Sequence, residues 1–440
     1  MRDSRKDFLY LALPLLAVVL LTGDFFRGRI LAETDETYIE IERFGQALDT
    51  VREEYVDPVP SKKLVDGAIT GMLGSLDQHS SYLSADRYQR LETDTRGEFE
   101  GIGIEIYLDD RKIPTVAQPL PGTPAFREGL LAGDRIIEVD EKPTRGVDLN
   151  EIVKMIKGPK GTKVVLTIWR ENGPEQTGQR LTKTITRGLI ELQSVLAARV
   201  LPDDIGYIRV MDFKEHTAAD LRKELEDLEE KGIQSLILDL RFNPGGLLKA
   251  AVDVSDLFLT KGALVVYTRG RNDKDDLEFR SLRDEVAPGT LMVVLVNEGS
   301  ASASEIVTGA LKDHGRAVIM GIKTFGKASV QTVYPLPDRS ALRLTTAYYY
   351  TPNDVNINEK GIEPDIAVPM SKSEIETLQR KLYVQDKGGA EALRNGGHAE
   401  EEIEAAEKLE EMPDVQLDDA VRLLRAHEIL RKVTEREVDD

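Results

Sequence analysis

Apolar positions change their spacing several times along the chain. From Phe8 to Thr22 they run with hardly a break, apolar all round rather than on one face. From about 37 to 95 they fall at three- and four-residue steps: Ile39, Ile41, Phe44, Leu48 and Val51 predict a core-facing helix stripe. Asp57-Pro58-Val59-Pro60 predicts its end, and Leu64, Ile69, Met72 and Leu73 predict a second helix. His79 follows in Leu76-Asp77-Gln78-His79-Ser80, where it reads as a capping or packing residue.

Between Gly97 and Arg187 the texture becomes short strands and glycine turns. Gly101-Ile102-Gly103-Ile104-Glu105-Ile106 comes first, then Thr115-Val116-Ala117 and Ala125 to Asp134. Ile136-Ile137-Glu138-Val139-Asp140 follows, then Leu149 to Ile156 predicts a helix and Val164 to Trp169 a strand. This order resembles a PDZ domain over its whole length. A Gly-x-Gly loop leading into a strand offers backbone N–H groups beside a sheet edge, where a peptide carboxylate docks and its tail adds a strand. The expected docking loop is Glu100, Gly101, Ile102, Gly103 and Ile104.

From about 189 to 370, strand and helix patterns alternate. Ile205 to Val210, Ser235 to Leu240 and Leu291 to Val296 read as strands, with helices over Leu221 to Leu228 and Leu248 to Leu257. Such alternation predicts a mainly parallel sheet covered by helices, whose ligand sites lie at the C-terminal ends of the strands. Arg241-Phe242-Asn243-Pro244-Gly245-Gly246 and Asn297 to Glu305 both fall there. Residues 371–440 return to charged helix, with ten acids against one lysine between Ala399 and Asp419. The stretch Ala420 to Leu430 is amphipathic and suits either a partner subunit or the chain's own body.

Composition narrows the chemistry. The chain has 440 residues, enough for two or three domains. Its net charge of -20 argues against a nucleic-acid partner. With no cysteine there is no thiol nucleophile, disulfide or thiolate metal site. Five histidines with no pair at helical ligand spacing argue against catalytic zinc. Arg2, Arg5 and Lys6 before the Phe8–Thr22 run predict a secretory signal or signal-anchor over 1–34, with the body exported to the periplasm or exterior.

A serine at a strand-to-helix junction sits where unpaired N–H groups favour developing negative charge. Ser300, Ser302 and Ser304 all lie at such a junction, and the pattern alone does not choose among them. Amide hydrolysis also needs a base. His314 lies twelve residues past Ser302 in the same predicted helix, roughly 18 Å away at about 1.5 Å per residue. Lys327 returns the chain towards the same sheet edge and serves as a base if burial keeps it neutral.

Together these motifs resemble the C-terminal processing (tail-specific) serine peptidases from about Tyr38 to Met370. They include Ser75-Leu76-Asp77-x-His79-Ser80, the embedded PDZ and Asp239-Leu240-Arg241-x-Asn243-Pro244-Gly245-Gly246. Gly299 to Glu305, Thr324-Phe325-Gly326-Lys327, Val330-Gln331, Thr346-Ala347-x-Tyr349-x-Thr351-Pro352 and Gly361-Ile362-x-Pro364-Asp365 follow in order. The resemblance implies Ser302 as nucleophile, Lys327 as general base and Gln331 as the residue orienting it. It implies an oxyanion hole from Ala303 N–H with Gly245 or Gly246, Gly245 being favoured. Ala328 stands where the family usually has glycine after the lysine.

The fold implied is a crotonase-like α/β protease core with an inserted PDZ domain and helical N- and C-terminal regions. The domains expected are 1–34, a helical region 35–95, the PDZ 96–188, the protease core 189–370 and a charged helical region 371–440. No metal or organic cofactor is called for. Expected partners are proteins with exposed C-terminal tails, an adaptor or activator, and a second copy through the terminal helices, with the membrane met only through the N-terminal segment. The rival readings are a catalytically silent PDZ scaffold and an acyl-CoA enzyme on the same sheet.

Overall fold

A computed structural model describes residues 36–120, 122–171, 178–396 and 400–439; the signal or anchor expected over 1–34 lies outside them. The chain divides into two units, one ending at Tyr82 and one beginning at Leu83. In the first, a helix over 36–54 (α1) precedes α2 (Ser61–Gly74). The Asp77 carboxylate closes the turn after α2 by accepting from the N–H groups of His79 and Ser80 at 2.7 and 2.6 Å. The stripe read as core-facing on α1 is not buried in this chain: Ile39 is 61% exposed and Phe44 49%. Two helices enclose little core between them, so among the described residues of this unit the stripe stays on the surface.

In the second unit, α3 (Ala85–Arg96) leads into β1 (Glu98–Gly101). The PDZ-like sheet follows: β2 (Ile104–Leu108), β3 (Pro114–Pro119), β4 (Arg135–Val139), β5 (Lys163–Glu171) and β6 (Gly178–Thr186), with α4 (Pro124–Arg127) and α5 (Leu149–Ile156) between strands. The strands pair antiparallel in the order β2-β3-β4-β5-β6, so β2 is an edge. Ile102, Val116, Ile136, Ile152, Leu166, Ile168 and Ile185 form its core. On leaving, β7 (Gly188–Glu191) pairs antiparallel with β1, so the chain enters and exits side by side.

The larger sheet is built from β8 (Val195–Leu201), β9 (Ile205–Val210), β10 (Ser235–Asp239), β13 (Leu291–Val296), β14 (Val318–Gly321) and β17 (Ile366–Ala367), in that order. Only β8 runs antiparallel; the other pairs are parallel. Continuous apolar runs suit strands buried on both faces. Ile208, Leu236, Leu238, Val294 and Val296 face α6 (Thr217–Glu230), α7 (Leu248–Ser255) and α8 (Ala303–Asp313). Alternate residues Tyr207, Ile237, Val293 and Leu295 pack on Ala420 and Leu424. A second sheet contains β11 (Leu264–Gly270), β12 (Glu278–Arg280), β15 (Ser329–Pro335) and β16 (Ala341–Tyr350).

The C-terminal region forms α9 (Lys372–Asp386), α10 (Gly389–Gly396), α11 (Glu400–Glu411) and α12 (Val415–Asp439). Of the two roles open to the amphipathic stretch, the first half of α12 covers the sheet, while Ile429, Leu430 and Val433 stay exposed. At the end of α9, Lys387 pairs with Glu105 of β2.

Candidate active site

Because β10 and β13 are parallel and in register at Asp239 and Leu295, the loops leaving their C-terminal ends emerge together. They are laced to each other. Asn243 carbonyl accepts from Ala301 N–H at 3.0 Å and from Ser304 Oγ at 2.8 Å, and Ser300 Oγ donates to Leu240 carbonyl at 2.8 Å. Phe242 N–H donates to Asn297 Oδ1 at 2.8 Å.

This lacing separates the three serines. Ser300 and Ser304 are fully buried with their hydroxyls committed to loop carbonyls. Ser302 alone is partly exposed, at the N-cap of α8 with φ 55° and ψ -112°. A non-glycine residue held there is strained, and such a sharp strand-to-helix turn lifts a side chain out of the loop. His314 lies at the opposite end of α8, its Nε2 2.7 Å from Leu264 carbonyl.

The glycine pair is pressed against this turn. A Cβ built on Gly245, at φ +100°, would lie 2.9 Å from both Ser302 Cβ and Ala303 N; one on Gly246 would lie 2.1 Å from Phe213 carbonyl oxygen. Gly245 N–H, favoured on sequence as an oxyanion donor, already donates to Asn243 Oδ1 at 2.9 Å. The N–H groups of Gly246 and Ala303 have no acceptor among the described residues.

Lys327 precedes β15 rather than lying on it, and a bulge follows between Val330 and Gln331. The simple alternation that would aim Lys327 and Gln331 to one face is therefore interrupted. Gln331 Nε2 donates to Ser329 Oγ at 2.9 Å and to Thr345 Oγ1 at 3.4 Å. Lys327 is half-buried. Burial pushes its ammonium below the ordinary lysine value and Arg343 pushes the same way, while Glu305 opposes them. Phe325, two residues earlier, is 60% exposed. Ala328 is not among the residues with positive φ, and its methyl lies in the core, so replacing the family's glycine strains nothing here.

Two residues with no role in the sequence reading join these segments. Glu305, fully buried, accepts four hydrogen bonds: from Ser302 N–H at 2.8 Å, Lys327 N–H at 2.9 Å, Gly326 N–H at 2.7 Å and Thr324 Oγ1 at 2.6 Å. Tyr349 Oη is 3.0 Å from Ser302 carbonyl and 2.5 Å from Lys327 carbonyl. Burial, then the Glu305 charge, pushes the Tyr349 hydroxyl well above its ordinary value, so it stays a donor. The Ser-x-x-Glu spacing of a capping box is the available signal for Glu305; Tyr349 stands in the Thr346–Pro352 motif, which gives it no role.

In the expected PDZ loop, Glu100 and Gly101 end β1, Ile102 is buried, and Ile104 opens β2. Gly103 has φ +78°, and a Cβ there would lie 2.4 Å from Thr123 Cβ.

Three family models match the sequence: peptidase family S41 over residues 204–368, a PDZ domain over 115–170, and the N-terminal domain of the activating protease CtpB over 29–87. The carboxy-terminal-processing protease of Bartonella bacilliformis is 41% identical, over 88% of this chain and 89% of its own. Carboxy-terminal processing protease CtpA of Bacillus subtilis is 33% identical over 93% and 84%. CtpB of the same organism is 37% identical over 77% and 69%. Among solved structures, the photosystem II D1 C-terminal processing protease aligns with a TM-score of 0.42 and 30% identity, over 74% of this chain and 92% of that one.

Proposed function

Since this chain belongs to peptidase family S41, among its carboxy-terminal-processing proteases, and is a serine-type peptidase with a PDZ domain, we propose that it cuts proteins near their C-termini through a Ser302/Lys327 dyad. The observation that carries this reading is the contrast among the three serines. Ser300 and Ser304 are buried and committed, while Ser302 is partly exposed on a strained turn beside two unpaired N–H groups.

In this mechanism a substrate carboxylate docks at the Glu100–Ile104 loop and its tail adds a strand to β2, which is a sheet edge. Neutral Lys327 takes the proton from Ser302 Oγ as that oxygen attacks the scissile carbonyl. The resulting oxyanion is received by the N–H groups of Ala303 and Gly246, because Gly245 N–H is bonded to Asn243. Lys327 returns its proton to the leaving amine, giving an acyl-enzyme, then takes a proton from the water that hydrolyses it. Gln331 is read as orienting Lys327, with its amide held by Ser329 and Thr345 so that its carbonyl oxygen is the group it offers.

The helix-covered parallel sheet with a second sheet beside it supports a crotonase-like core. The basic and apolar start supports action outside the cytoplasm, on envelope proteins, with residues 8–22 as leader or anchor. Exposed apolar residues on α1 and at the end of α12, with the match to the CtpB N-terminal domain, support an activator or a second copy at these helices.

The test is cleavage of a loosely folded protein with an apolar C-terminal tail by the full chain and by its Ser302→Ala and Lys327→Ala variants. Wild type cuts and both variants lose at least about a thousandfold in rate. A Ser302→Ala variant that cleaves at the wild-type rate sinks the dyad.

A further inference from the structure

The loop carrying Gly245 and Gly246 is held from behind by a buried ionic cluster. Arg241, with no exposed surface, meets two carboxylates at once. Its Nε lies 3.0 and 3.1 Å from the oxygens of Asp239, and its Nη2 2.6 Å from one of them. Its Nη1 and Nη2 each donate to Asp414 at 2.8 Å. Arg241 carbonyl accepts from Arg209 Nη1 at 3.1 Å, and Arg209 Nε contacts both oxygens of Asp386 at 3.1 Å.

Two of the three carboxylates come from far along the chain. Asp386 ends α9 and Asp414 directly precedes α12. A buried ion cluster stabilises a fold little better than apolar packing of the same volume, but it fixes geometry because every fork must be met. Here it fixes both the side chain and the carbonyl of Arg241. Two residues on, Asn243 accepts from Gly245 N–H through its side chain and from Ala301 N–H through its carbonyl. A shift at Arg241 therefore reaches the spacing between Gly246 N–H and Ser302.

We propose that Asp414 and Asp386 are positioning residues for the peptidase reaction, setting the oxyanion-binding loop against Ser302 through Arg241 and Arg209. The proposal rests on the dyad reading above. It gives the C-terminal helices a role in transition-state stabilisation although, among the described residues, none of theirs hydrogen-bonds Ser302 or Lys327.

The test uses the full chain as wild type, Asp414→Asn, Asp386→Asn and Leu424→Ala. Asparagine at 414 can still cap α12, where Asp414 Oδ1 accepts from Leu417 N–H, but it loses the charge. Leu424→Ala loosens α12 on the sheet, in the layer that holds Tyr207 against Asp239, and leaves every charged member of the cluster in place. Each is assayed below its own Tm for kcat and KM on a tailed peptide, and for affinity to a peptide aldehyde whose hemiacetal oxygen occupies the oxyanion position. Both aspartate variants lose about ten- to a hundredfold in kcat with KM within about twofold, and aldehyde affinity falls in parallel. Leu424→Ala keeps wild-type kcat. If Asp414→Asn fails to fold, Asp386→Asn decides alone. Unchanged kcat in the aspartate variants, aldehyde affinity that does not follow kcat, or an equal kcat loss in Leu424→Ala each overturns the proposal. A wild type that takes no aldehyde at Ser302 overturns the dyad reading and this inference together.

Discussion

Glu305 Oε2 accepts the backbone N–H of Lys327 at 2.9 Å, although the two residues lie on different elements, one in the first turn of α8 and one ahead of β15. The same oxygen accepts from Ser302 N–H at 2.8 Å. One carboxylate oxygen thus sets the main chain of both proposed dyad members. Tyr349 does the same from the carbonyl side. A buried carboxylate with four donors is a satisfied group, and each lost partner leaves an N–H or hydroxyl buried without an acceptor.

Glu305→Gln turns an amide NH2 towards donors that need an acceptor. Stability is expected to fall by about 3 kcal/mol, read as a lower denaturation midpoint at unchanged m. Activity on a tailed substrate falls more than a hundredfold even at temperatures where the variant stays folded, because both dyad segments lose their shared anchor. A folded Glu305→Gln enzyme with wild-type kcat would falsify the anchoring role.

Much of this site was legible as motif and little of it as geometry. The parallel core followed from the apolar runs Ser235 to Leu240 and Leu291 to Val296, since strands buried on both faces carry few polar residues. The choice of Ser302 needed the family resemblance, because local pattern treats three serines in a row of alanines alike; burial is what separates them. Glu305 and Tyr349 stand in motifs without a role, and Arg343 and Asp414 are not singled out at all. Their roles arise from pairings across sheets and from distant helices, and single-sequence spacing carries no record of those. The sequence reading favours Gly245 over Gly246, and only in the closed loop does the Asn243 side chain occupy the Gly245 N–H.

If Lys327 is the base proposed, its electrostatics set the pH dependence. The proposed dyad needs neutral lysine, so kcat/KM is expected to rise with pH through the lysine's lowered pKa and to be lost below it. Arg343, on β16, is one of the charges holding that pKa down. Arg343→Gln removes a repelling cation, the ammonium becomes easier to form, and the acid limb of the profile moves to higher pH. Arg343→Lys keeps the charge and leaves the limb near its wild-type position. The measurement is kcat/KM against pH for all three, and an acid limb unmoved in Arg343→Gln rules out this coupling.

Gly103→Ala tests the proposed tail docking apart from bond cleavage. Its φ of +78° costs an alanine about 1–2 kcal/mol, and the added Cβ would press on Thr123, whose hydroxyl bonds Gly103 carbonyl. Gly103→Ala is therefore expected to displace the loop that opens β2 while leaving the Ser302 turn, which caps a different element, intact. A fluorescent peptide with an apolar C-terminus should bind the variant at least about tenfold more weakly, because the carboxylate loses aligned N–H donors. A small ester that does not reach the PDZ should be hydrolysed at the wild-type rate. The two readouts must diverge: equal loss of both would mean that the loop supports the fold of the whole unit rather than tail capture, and unchanged tail affinity would place the carboxylate elsewhere.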